Sequence, residues 1–139
     1  MKVLILGGNG YVGSVLQGYF EDVLVYDLSP SQDIRNINNL IPFLDQTDAI
    51  VHLAGTSMDP MVEANPKVVW ETNYEANVMI ANLLKNTGKR VVFASSGSVY
   101  GSQQGVCTED GPIKPLSLYA KTKALSEELF LHKDINSTV

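Results

Sequence analysis

Residues 2–13 read KVLILGGNGYVG: an unbroken apolar run that gives way to a turn with glycines at positions 7, 10 and 13. A continuous apolar run of this length marks a strand covered on both faces, as strands of a parallel sheet are. The residues after the turn, 11–20, read as a short helix. Glycine reaches positive φ without penalty, and it lets backbone N–H groups and the following helix come close to a pyrophosphate. The spacing G-x-x-G-x-x-G is one residue wider at its first gap than the G-x-G-x-x-G dinucleotide fingerprint, and its physical demands are similar. Alone, such a turn is also compatible with a tight strand-to-helix connection, so the flanking chain decides.

That chain supports the first alternative. DVLVYD (22–27) is a second buried strand, and it ends in Asp27, twenty residues after Gly7. A carboxylate there is placed to accept hydrogen bonds from both hydroxyls of an adenosine ribose, and it repels a 2′-phosphate. A solvated strand-end acid is the plainer alternative; the glycines and the spacing together favour dinucleotide binding. No arginine follows Asp27 directly, which favours NAD over NADP, although Arg35 keeps NADP open.

Further on, residues 28–36 are polar, and Leu40, Ile41 and Leu44 suggest a short helix. DAIVHLAG (48–55) is a third strand, 65–88 a long helix with Pro66 near its first turn and Gly88 at its end, and KRVVFASS (89–96) a fourth strand. Strands alternating with helices across short links predict a doubly wound α/β sheet with right-handed crossovers. The 139 residues form one domain without an internal repeat or linker. A net charge of −5 argues against nucleic-acid or anionic-membrane partners. A lone cysteine, Cys107, excludes an internal disulfide and a thiolate metal cluster. The N-terminal apolar run is too short for a signal peptide, and no run approaches membrane-spanning length. The expected setting is the cytoplasm.

The last distinctive stretch is SLYAKTKALSEELF (117–130), in which Tyr119 and Lys123 stand one helical turn apart on one face. Ser117 is a good N-cap, and Pro112 and Pro115 keep the approach extended. An ammonium held near a phenol favours the phenolate, which makes a usable proton donor and acceptor. A solvated surface pair has the same spacing, so this motif also depends on its company.

Taken together, GGNGYVG, Asp27, DIR (33–35), VHLAG (51–55), ETNYEAN (71–77), FASSGSVYG (93–101) and YAKTK (119–123) closely resemble the NAD-dependent epimerase/dehydratase family. These are extended short-chain dehydrogenase/reductases that act on nucleotide sugars. The resemblance implies a Rossmann domain binding NAD, followed in the family by a small substrate domain. It places Tyr11 and Val12 against the pyrophosphate, Asp33 and Ile34 beside adenine, and Leu53, Ala54, Gly55 and Thr56 along the cofactor's middle. Asn73 shapes the wall behind the cofactor. Ser96 aligns with the serine or threonine that hydrogen-bonds the reacting hydroxyl, and Tyr119 and Lys123 with the acid/base and its tuning lysine. It also implies a homodimer built from the 66–86 and 119–132 helices. Other residues take plainer readings. His52 is a satisfied core histidine, Trp70 and Met79 are packing residues, and Tyr100 packs at the edge of the site. Ser95 and Ser98 satisfy backbone groups, and Glu127 and Glu128 are helix-surface charges.

Two departures matter. Only five residues separate Asp27 from Asp33, where most relatives place a helix and a strand, so the sheet is expected to lack that third strand. The chain also stops at DINSTV (134–139), where the family enters its next core strand. The expectation is a Rossmann domain truncated before its last strands and its substrate domain, and inactive by itself. The implied chemistry is hydride transfer between a sugar carbon and nicotinamide, of epimerase or reductase type. Dehydrating relatives carry an Asp-Glu pair where this chain has Gly97 and Ser98. The rival is a non-catalytic NAD-binding module.

Overall fold

Five short strands line up in one sheet in the order β2–β1–β3–β4–β5, every neighbouring pair parallel. They are β1 (Val3–Leu6), β2 (Val23–Tyr26), β3 (Ala49–His52), β4 (Arg90–Phe93) and β5 (Asn136–Thr138). The computed structural model describes residues 1–57 and 64–139. Helix α1 (Tyr11–Leu16) runs on into a 3-10 turn (Gln17–Tyr19), and α2 spans Ile37–Asp45. The long helix α3 has three consecutive parts: Pro66–Trp70, a π-helical segment Glu71–Glu75, and Ala76–Leu84. A 3-10 turn (Gly97–Tyr100) and helix α4 (Leu118–Phe130) follow β4.

Alternation along β1 explains its continuous apolar sequence. Leu4 and Leu6 join a core with Ile80 of α3, Phe93 and Phe130 of α4. Val3 and Ile5 face the other way, onto Leu16 and Phe20 after α1. Strand β4 is covered on one face only: Val91 and Phe93 are buried, Arg90 and Val92 exposed. Cutting a buried aromatic such as Phe93 to alanine costs about 3–5 kcal/mol.

Helix ends follow local chemistry. Ser117 caps α4, its Oγ accepting the Ala120 N–H at 3.1 Å. Asn65 caps α3, with Pro66 in its first turn. Helix α3 ends at Leu84, earlier than the sequence predicts, because Lys85 turns to a ψ of 133° and Asn86 then takes a φ of 60°.

Between β2 and α2 the chain makes no further strand. Ser29 and Gln32 exchange backbone hydrogen bonds in a tight turn, so β2 remains an edge strand, as the short spacing predicts. At the other edge, the polar residues Asn136–Thr138 already pair with Arg90–Val92 as β5. The loop entering α4 is pinned at its base, where the Lys114 N–H donates to the Val99 carbonyl at 2.9 Å. Among the described residues no helix is long and apolar enough to cross a membrane.

Candidate active site

Sheet register builds the site. Leu6, Tyr26 and His52 are level, so Gly7, Asp27 and Leu53 leave three adjacent strands in one row. The sequence order of the strands reverses between β1 and β3, and open α/β sheets bind ligands at such a crevice. A cleft of about 520 Å³ opens there.

Its floor is the glycine turn. Gly7 has a φ of +81°, and a Cβ on it would lie 2.8 Å from the Ala54 nitrogen. At Gly13 a Cβ would lie 2.5 Å from the Gly7 oxygen and 2.6 Å from Gly8 Cα, so α1 stacks directly on the turn. Both positions admit only glycine without backbone movement. Gly7 and Gly10 line the cleft. Tyr11 and Val12 project outward, 92% and 53% exposed, free to cover a bound group.

Asp27 stands over this floor. One carboxylate oxygen accepts the Asn9 N–H at 2.6 Å and the other the Leu28 N–H at 2.7 Å. Beyond Asp27, Asp33 and Ile34 also line the cleft. The Asp33 carboxylate is held in a fork by Arg35, with Nη2 at 2.6 Å and Nε at 3.0 Å from each oxygen. These hydrogen bonds hold its carboxyl below the usual carboxylate range. Arg35 also meets Glu71 at 3.5 Å, so its guanidinium is shared between two carboxylates.

The middle of the cleft is set by Leu53, Ala54, Gly55 and Thr56. Thr56 is clamped by the Asn73 side chain, whose Oδ1 accepts the Thr56 N–H at 2.8 Å while its Nδ2 donates to the Thr56 carbonyl at 2.9 Å. Asn73 lies in the π-helical segment, where the Ala76 N–H reaches back five residues to Glu71. The Asn73 carbonyl in turn accepts from Asn77 Nδ2 and Ser126 Oγ, each at 2.8 Å. Asn77 Oδ1 meets His52 Nε2 at 2.7 Å. With the Asn77 amide nitrogen committed to acceptors, the oxygen must receive, so His52 carries its proton on Nε2. His52 is fully buried, and burial pulls its pKa down to about 4. It is a core histidine, as the sequence predicts, although its Nδ1 has no partner among the described residues.

The acid/base candidates stand beyond β4 and do not line that cleft. Ser96 caps the 97–100 turn, its Oγ accepting the Ser98 N–H at 3.2 Å and lying 2.8 Å from Ser98 Oγ. Helix α4 packs against that turn, with half-buried Tyr119 in its first turn and Lys123 one turn later. Lys123 is 6% exposed, and its ammonium sits 4.4 Å from the centroid of the Phe93 ring. Burial lowers its pKa to about 8, against the pull of Glu127. Ser95 and Glu127 depart from their plain readings, because the Ser95 hydroxyl donates to the Glu127 carboxylate. Sequence reasoning also passed over Asn77 and Ser126. The signal for Ser126 was its place three residues beyond Lys123 and seven beyond Tyr119, on the same helix face.

Residues 3–133 match the model of the NAD dependent epimerase/dehydratase family. The chain belongs to this family. Among relatives, it is 29% identical to UDP-glucose 4-epimerase 4 of Oryza sativa subsp. japonica, over 91% of this chain and 43% of the rice protein. Among solved structures it resembles a short-chain dehydrogenase/reductase superfamily protein from Agrobacterium tumefaciens with bound NAD. There the TM-score is 0.85 at 27% identity, covering 99% of this chain and 47% of that one. It also resembles MoeE5 in complex with UDP-glucose and NAD, with a TM-score of 0.82 at 29% identity over 100% and 52% of the two chains. The chain thus spans about half the length of the relatives it matches.

Proposed function

We propose that this chain carries the cofactor-binding and proton-transfer residues of an NAD-dependent nucleotide-sugar epimerase or reductase. The observation that carries this reading is the Asp27 carboxylate, held over the glycine turn at 2.6 Å from the Asn9 N–H and facing the cleft. The residues fit the group: a floor without side chains for the pyrophosphate, an acid for the ribose hydroxyls, and buried Ile34 beside the base. Arg35 gives its guanidinium to Asp33 and Glu71, which supports NAD over NADP. The nicotinamide, when bound, supplies the hydride acceptor. Tyr119 takes the proton of the sugar hydroxyl, Ser96 hydrogen-bonds the same oxygen, and Lys123 keeps a positive charge beside them. The relatives' nucleotide sugars support the substrate class, and Gly97 and Ser98 favour epimerisation or reduction over dehydration. A non-catalytic NAD-binding module is the second reading, since the chain spans about half the length of the relatives it matches. The presence together of Ser96, Tyr119 and Lys123 favours catalysis.

Calorimetric titration tests the cofactor assignment. NAD(H) should bind more tightly than NADP(H), and Asp27→Ala should narrow the gap. A preference of the unmodified protein for NADP(H) overturns it.

A further inference from the structure

Ser95 and Glu127 make a contact that the reading above does not use. Ser95 directly precedes Ser96, and Glu127 lies one turn beyond Lys123 and two beyond Tyr119. Their part-buried hydrogen bond spans 32 residues of sequence. Among the described residues the Ser96 hydroxyl bonds locally, to Ser98. Among the described residues the Ser95–Glu127 bond is therefore the hydrogen-bonded side-chain link between the segment holding Ser96 and the helix holding Tyr119 and Lys123. We infer that Ser95 and Glu127 form a positioning latch, which sets Ser96 against Tyr119 and keeps a carboxylate one turn from the buried ammonium of Lys123.

The electrostatic half follows from what surrounds Lys123. A buried ammonium needs a compensating charge or it tends to lose its proton. Phe93 offers only its ring face. On β3, His52 is neutral above about pH 4. On α3, Glu71 is engaged by Arg35 and Lys67, and Glu75 is exposed. Arg90 of β4 is exposed at the far end of its strand. On α4 itself the charged neighbour acting on Lys123 is Glu127, with Tyr119 one turn before.

The geometric half follows from the acceptor. A glutamine at 127 still accepts from the Ser95 hydroxyl without the charge, whereas an alanine removes both.

The test uses the 139-residue protein with two independent measurements. In an NMR titration of the Lys123 side chain, the midpoint near 8 should fall by about one unit in Glu127→Gln and return in Glu127→Asp. The Tyr119 amide resonance should shift in Ser95→Ala and the Ser96 amide in Glu127→Ala, each across the contact from the change, and both should stay in place in Glu127→Gln. By calorimetry at pH 8, where the protonated fraction of Lys123 would drop from about one half to about one tenth, Glu127→Gln should weaken NAD, whose nicotinamide-side ribose Lys123 would hold, about fivefold, while ADP, which lacks that ribose, binds unchanged. An unmoved Lys123 midpoint in folded Glu127→Gln overturns the electrostatic half. An unmoved Tyr119 amide in Ser95→Ala overturns the geometric half, and equal losses of NAD and ADP reduce the pair to a structural contact. The NAD arm rests on the proposed function. If the unmodified protein binds neither nucleotide, that function fails, while the titration and the amide shifts still decide the latch.

Discussion

Replacing His52 by glutamine should flatten the acid side of the stability profile. In the folded protein the ring is buried and neutral, giving its one proton to Asn77. Burial holds its pKa at about 4, down from 6.5, with the Lys123 charge pushing the same way. Between these values the unfolded chain binds a proton that the folded chain refuses, so stability falls as pH drops from about 6.5 towards 4. At 1.36 kcal/mol per unit, a difference of roughly 2.5 units is worth about 3 kcal/mol. Lys123 leaves this window undisturbed, because its folded pKa of about 8 and unfolded value of 10.5 both lie above it. Acidic groups such as Asp33 contribute equally to both proteins and cancel in the difference. The assay is urea unfolding at several pH values between 7.5 and 4, followed by the fluorescence of the single tryptophan, Trp70. At pH 7.5 the variant should be weaker by about 1–2 kcal/mol, since it loses edge-on contacts with Phe93 and Phe130. By pH 4 the wild type should have lost about 3 kcal/mol more than the variant. Stability curves that stay parallel across this range would refute the neutral, buried histidine and the network drawn around it.

Three other outcomes are expected. Gly13→Ala drives a methyl against backbone at 2.5 Å, so it should cost about 1–3 kcal/mol by thermal unfolding and weaken NAD binding. In an enzyme that combines these residues with a substrate site, Tyr119→Phe should lower turnover by about two to four orders of magnitude with NAD affinity unchanged; turnover that survives the change removes Tyr119 from the mechanism. Pairing through α3 and α4 with a second copy should give a dimer by light scattering, and a monomer at high concentration excludes it.

The sheet was legible because most of its inner strands are buried on both faces and so carry unbroken apolar runs. Val3–Leu6 and Ala49–His52 are examples, and the level ends of β1 and β2 then place the glycine turn and Asp27 together. β5 was foreseen only through the family resemblance, in which the next core strand is entered at 134–139, and its own residues do not announce it, for the complementary reason. Asn136–Thr138 has a half-buried residue between exposed ones, and its extended form is imposed by backbone pairing with β4. The π-helical segment at 71–75 has no periodicity of its own to announce it; it is visible through what the Asn73 carbonyl accepts. Arg35 illustrates a third limit. Its sequence position suggests a free cation near the adenine end, and only the fold shows that two carboxylates take it. Packing predictions fared better: Trp70 lies against Tyr74 at 4.8 Å and Met79 against the core.

The bond between the Lys114 N–H and the Val99 carbonyl, at the foot of the loop before α4, separates two questions that usually travel together. Because the chain is brought back beside Val99 before it turns into Ser117 and α4, the length of the loop is uncoupled from where Tyr119 stands. Doubling a flexible loop adds only about 0.6 kcal/mol of closure entropy. Residues 102–113, with exposed Cys107 among them, are therefore where this fold can gain or shed length. A peptide tag or a reporter inserted there would be carried by the clamp below it, leaving the helix that bears Tyr119 and Lys123 in register with the sheet.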